Sequence, residues 1–221
     1  MATSSAVTGA AYHGHTIFNL ILPSHGFDLT IGNALAMIGL ELAVIALLAS
    51  IEPTLRGMSG GLLLLAAFSV VLMGPSAAEH DAVAISWQVR AHVLIALLSY
   101  GLLTVGAIVA VFALVQERRL QAAKLSSTNQ LFAPLETTER LLLSLAAVGF
   151  AVLTLTIASG STFVIDLMEQ HLAHKFGLSL LAWLVLGILL AGRFFRGWRG
   201  KRAVELYLGG FVLLCLAYFG S

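Results

Sequence analysis

Long apolar runs alternate with short polar pieces along this chain. The runs cover residues 6–22, 30–50, 59–74, 90–116, 138–160, 175–193 and 203–220. Between them lie PSHGFD, EPTLRG, GPSAAEHDAVAISWQ, the long ERRLQAAKLSSTNQLFAPLETTER, STFVIDLMEQHLAH and RFFRGWRGKR. A hydrocarbon layer about 30 Å thick takes about 20 helical residues. The runs lack the alternation and even spacing of barrel strands, and within lipid only helices and closed barrels satisfy every backbone polar group. The pattern predicts an all-α, polytopic transmembrane helical bundle of about seven spans. The first span, AVTGAAYHGHTIFNLIL, is the weakest, and Gly74 with Pro75 ends the short third one. No repeat, Gly/Ser linker or low-complexity tract interrupts the chain, so residues 1–221 read as a single domain.

Composition agrees with lipid as the main solvent. Of 221 residues, 59% are hydrophobic and 10% charged, with mean hydropathy +0.95, whereas soluble domains carry about 25% charged residues. The net charge of +1 and the absence of a long basic stripe argue against a nucleic-acid partner. The single cysteine, Cys215, excludes an intrachain disulfide and a CxxC pair. MATSSAVTGAAYHG has neither the basic n-region nor the clean apolar core of a cleavable signal peptide, so none is expected.

Basic residues set the expected orientation, because cytoplasmic loops retain them. One alternate set of loops holds Arg56, then Arg118, Arg119, Lys124 and Arg140, then Arg193, Arg196, Arg199, Lys201 and Arg202. The other set holds only Arg90 and Lys175, beside Asp28, Glu79, Asp81, Asp166 and Glu169. The first set is therefore read as cytoplasmic, with the N-terminus cytoplasmic and the C-terminus periplasmic.

That orientation gives two histidines a common depth. His92 opens the fourth span and His174 the sixth, both near the outer membrane–water boundary. Neutral imidazoles at one depth on neighbouring helices can grip haem iron from its two sides. Beyond His92 on the same face come Ala96, Ser99 and Tyr100; beyond His174 come Gly177, Leu178 and Leu181. Small residues one turn away, Ala96 and Gly177, would admit a porphyrin close to the backbone. Arg90 and Lys175 are placed to meet its propionates. A plainer reading stands beside this one: interfacial His, Arg and Lys anchor helix ends, and small residues serve ordinary helix packing.

Several stretches carry a family resemblance: HVLIALLSYG at 92–101, QERRL at 116–120, PLETTERLLLSLAAVGFAVLTLTIASG at 134–160, and HKFGLSLLAWLVLGILLAGRFFRGWRGKRAVELYLGGFVLLCLAYFGS at 174–221. They resemble the cytochrome c assembly (CcsA-like, haem-handling) membrane proteins, in particular the YpjD-type branch of bacterial inner-membrane proteins. The resemblance implies an eight-helix inner-membrane protein that holds haem near the periplasmic face by two histidines, matching His92 in HVLIALLSY and His174 in HKFGLS. The expected cofactor is haem b. The expected partners are haem, the lipid bilayer and other membrane or cytochrome-assembly proteins. Two departures matter. The chain reads one helix short at its N-terminus, and the tryptophan-rich WGxxWxWD segment of haem–cytochrome synthetases is absent, with Trp87, Trp183 and Trp198 scattered. The expectation is therefore a haem-binding, non-catalytic protein for cytochrome c assembly or haem handling.

Other polar residues frame the alternatives. His13 and His15 lie within the first span and point about 200° apart, so they cannot share one metal. Glu41 is a carboxylate near mid-span and a candidate proton or cation site. It motivates a transport or ion-homeostasis reading. A regulatory or scaffold role would use the 117–140 segment for docking. Glu205 is expected to reach Arg202 one turn away. His25, His80 and His171 fall in outer loops, with His171 the reserve for His174, and the 162–173 loop could form a short surface helix.

Overall fold

The computed structural model describes residues 2–21, 31–51, 55–71, 86–121, 134–162 and 173–219. They form α1 (Ala2–Ile21), α2 (Ile31–Ile51), α3 (Arg56–Val71), α4 (Trp87–Gln121), α5 (Leu135–Ser161), α6 (Ala173–Arg196) and α7 (Lys201–Phe219), with no strand among the described residues. One helix stands on each predicted run. Four stretches are long and apolar enough to cross a membrane: Gly32–Ile51, Trp87–Arg119, Leu135–Ser161 and His174–Arg196. The other three helices differ for visible reasons. α3 is apolar but only 16 residues long, α1 is diluted by Ser, Thr, Gly and His, and α7 carries Lys201, Arg202 and Glu205 in its opening turns. Leu48, Phe68, Leu155 and Ile188 are exposed on the helix surfaces. Water would penalise such faces, while hydrocarbon accepts them. This is a multi-pass membrane protein.

The helices fall into two compact units. One comprises α1–α3 and the beginning of α4 up to Leu97, and the other holds α4 from Leu98 onward with α5–α7. In the first unit α2 packs against both α1 and α3. Its buried face is built from small residues, Ala34, Ala36, Gly39, Ala43 and Ala46, which let helix backbones approach when lipid supplies no hydrophobic drive between them. Gly39 is the tightest point. Any Cβ there would collide with the side chain of Ser69, whose Oγ donates to the Ala66 carbonyl at 2.7 Å.

The second unit is an antiparallel ladder pinned by the same device. Leu103 of α4 packs on Gly149 of α5, Phe150 of α5 on Gly187 of α6, and Leu186 of α6 on Gly210 of α7. Tyr207 of α7 closes the set. It is fully buried, lies against Gly106 and donates its hydroxyl to the Leu103 carbonyl at 3.0 Å. Trp183 stacks on Phe150 with ring centroids 5.3 Å apart and donates Nε1–H to Thr154 Oγ1 at 2.8 Å. α4 and α6 therefore run in one direction within this unit, and α5 and α7 in the other.

The turn between α6 and α7 explains the GWRG motif. Gly197 (φ 66°) and Gly200 (φ 61°) occupy the left-handed region, which costs other residues about 1–2 kcal/mol. Gly197 N–H donates to the Arg193 carbonyl at 3.1 Å, ending α6 with a left-handed cap. The reversal folds Trp198 onto Gly192, and the Arg202 guanidinium sits 4.4 Å from the indole centroid. Arg202 is thus committed to the indole, and Glu205 pairs instead with Lys201 at 3.6 Å, correcting the expected Glu205–Arg202 contact. Gly197→Ala and Gly200→Ala are each expected to lower stability by about 1 kcal/mol, read as a lower thermal unfolding midpoint of the detergent-purified protein.

Candidate functional site

The two candidate iron ligands lie near the start of their own helices. His92 lies in the second turn of α4, half-buried, with Arg90 half-buried two residues earlier. His174 lies in the first turn of α6 and is exposed, with Lys175 half-buried beside it. His92 belongs to the first unit and His174 to the second. Each histidine is close in sequence to the basic residue chosen for a propionate, two residues apart on α4 and adjacent on α6.

The faces beyond the two histidines differ. A Cβ added at Gly177, one turn past His174, would meet nothing within 4 Å among the described residues. Along α4, Ala96 is half-buried, but Ser99 is buried and donates to the Gly149 carbonyl at 3.4 Å. Tyr100 donates to the Leu214 carbonyl at 3.4 Å, and its ring centroid lies 5.5 Å from that of Tyr218. Ser99 and Tyr100 therefore hold α4 against α5 and α7.

The donor chemistry fits haem. Imidazole is an established axial ligand to haem iron. No group of three or more His, Cys, Asp or Glu side chains gathers among the described residues. Arg90 and Lys175 supply cations for carboxylates.

Two further polar groups lie inside the first unit. His13 of α1 is only 6% exposed, lies against the backbone of Ala36 on α2, and its Nε2 has no hydrogen-bond partner among the described residues. Glu41 of α2 has its Oε2 buried and likewise without a hydrogen-bond partner among the described residues. His15 points the other way, exposed, with Nε2 2.9 Å from Asn19 Nδ2, as the helical period requires. The sequence marks His13 and Glu41 separately. What it leaves out is that they belong to one packed helix pair, α1 against α2. His25, His80 and His171, residues 163–172 of the expected surface helix and residues 122–133 of the 117–140 docking segment lie outside the described residues.

Inner membrane protein YpjD of Escherichia coli (strain K12) is 36% identical over 130 residues, which is 59% of this chain and 49% of that protein. An uncharacterized 28.8 kDa protein of Azospirillum brasilense is 32% identical over 131 residues, 58% of this chain and 48% of that one. Cytochrome c biogenesis protein CcsA of Synechococcus sp. (strain CC9605) is 27% identical over 165 residues, 61% of this chain and 52% of that one. The chain spans about half the length of these curated relatives, and no solved structure matches it. The family described as cytochrome C assembly protein matches residues 3–221, nearly the full length. This chain belongs to the cytochrome c assembly protein family.

Proposed function

We propose that this is a non-catalytic, haem-binding protein of the bacterial inner membrane that serves cytochrome c assembly or haem handling at the periplasmic face. His92 and His174 hold haem b through its iron, and Arg90 and Lys175 meet the propionates. The N-terminus lies in the cytoplasm and the C-terminus in the periplasm, following the asymmetry of basic residues. Family membership supports the link to cytochrome c assembly.

The observation that carries the haem reading is the direction of the helices. α4 and α6 run the same way in the second unit, with Leu103 and Gly187 brought to one level through Gly149 and Phe150 of α5. His92 lies near the start of α4 and His174 near the start of α6. A shared depth for the two imidazoles is what axial ligation from both sides needs. When bound, haem supplies the iron and its redox chemistry; the chain supplies two neutral nitrogens and two cations.

The test is an absorbance spectrum of the detergent-purified protein. A Soret band is expected, weakened by His92→Ala and by His174→Ala separately. Unchanged absorbance in the double variant overturns the assignment. The unpartnered Glu41 Oε2 favours a second reading, proton or cation passage. A flux in liposomes that Glu41→Gln abolishes would support passage, and one indifferent to that substitution would remove it.

A further inference from the structure

Between α5 and α6, near their Pro134 and Arg196 ends, the second unit contains a cleft of about 810 Å³. Its walls are apolar, formed by Leu143 and Ala147 on α5 and Leu190 on α6, while Arg140, Arg193 and Arg199 stand at its mouth. Both helices are long enough to cross a membrane. The cleft therefore runs from charged helix ends toward the level of the hydrocarbon. Ser144, also in the wall, turns its hydroxyl back to the Arg140 carbonyl at 3.0 Å, which removes its polarity from the trough.

The charges at the mouth are unequally engaged. Glu139 accepts the Gly200 N–H at 3.0 Å and anchors the α6–α7 turn. Glu136 pairs with Arg140 at 3.3 Å, but both side chains are about three-quarters exposed, so the pair is weak. Arg193 uses Nη1 to reach the Trp198 carbonyl at 3.4 Å and keeps its other donors. Arg199 is exposed, with no partner among the described residues. Two guanidinium groups thus retain donors at the top of an apolar trough, and the exposed ring of Phe194 lines the same opening.

We propose that this cleft is a binding site for an anionic phospholipid. Arg193 and Arg199 take the headgroup phosphate, and one acyl chain lies along Leu143, Ala147 and Leu190. Guanidinium groups match phosphate oxygens in a fork, and basic pockets between transmembrane helices favour anionic headgroups. A soluble anion would use the arginines but leave the apolar walls unfilled. A zwitterionic lipid would fill the walls but gain less from the surplus cation.

The test uses the full chain, delipidated in detergent and titrated with phosphatidylglycerol or phosphatidylcholine. Lipid retention by native mass spectrometry and the thermal unfolding midpoint are the readouts. Phosphatidylglycerol is expected to bind and raise the midpoint, and Arg193→Gln with Arg199→Gln to weaken binding about tenfold or more. Ala147→Phe fills the trough without touching a charge and is expected to weaken binding as well. If the arginine variant does not fold, the Ala147→Phe result decides. Equal binding of the two lipids, an unchanged affinity in a folded variant, or the same midpoint shift from inorganic phosphate alone overturns the proposal.

Discussion

Alanine at Tyr207 is expected to destabilise the protein by about 3 kcal/mol, lowering its thermal unfolding midpoint in detergent by about 6–12 °C. Tyr207 is fully buried, and its hydroxyl bonds the Leu103 carbonyl across the α4–α7 contact. Removing the ring leaves a void beside Gly106 that the two helices can close only by moving together. Phenylalanine keeps the ring and loses only the hydrogen bond, so its effect should be about 1 kcal/mol. The opposite change at the same contact is equally informative. Gly106→Leu drives a side chain into the phenol and is expected to cost about 2–3 kcal/mol by overpacking. Combined with Tyr207→Ala, the added leucine occupies the vacated space, and the double variant should be more stable than the sum of the singles predicts. Strict additivity would show that the two side chains do not share that space.

The second large effect is expected in the other unit. Gly39 and Ser69 bring α2 and α3 together so closely that even a methyl group on residue 39 overlaps the serine side chain. Gly39→Ala is expected to cost about 2 kcal/mol despite alanine's better helix propensity, and Gly39→Leu more. Moving the gap to the other helix should rescue it: Ser69→Gly removes the colliding atoms, so Gly39→Ala with Ser69→Gly should recover most of the loss. The check is the unfolding midpoint of the three variants in one detergent. If Gly39→Ala is as stable as the parent, α2 and α3 are not held at this separation.

The sequence made the helices legible because lipid imposes a length and a polarity on each of them. All seven runs became helices, and the largest disagreement lies at the end of α4. The apolar run stops near 116 while the helix continues through Glu117, Arg118 and Arg119 to Gln121. Hydropathy reports the surrounding solvent; backbone hydrogen bonding continues past the point where the solvent changes. Choice of neighbour was not legible. Ser99 and Tyr100 share a stripe with His92, and the sequence cannot say that α5 and α7 occupy it. Glycine was also ambiguous. Gly177 meets no neighbour among the described residues whereas Gly106, Gly149 and Gly210 each receive a large side chain from a neighbouring helix, a difference that depends on residues far away in the chain. Basic residues at 140, 193 and 199 were legible as an orientation signal, and only the packing of α5 on α6 shows them sharing one opening.

The connector Gly197–Gly200 has a topological consequence. With four residues between α6 and α7, both of which the turn aligns antiparallel, neither helix can choose its side of the bilayer alone. α7, whose leading charges make it a poor candidate for entry by itself, inherits the placement of α6, which is long and apolar enough to cross a membrane. The arginines around that connector therefore govern the placement of two helices together.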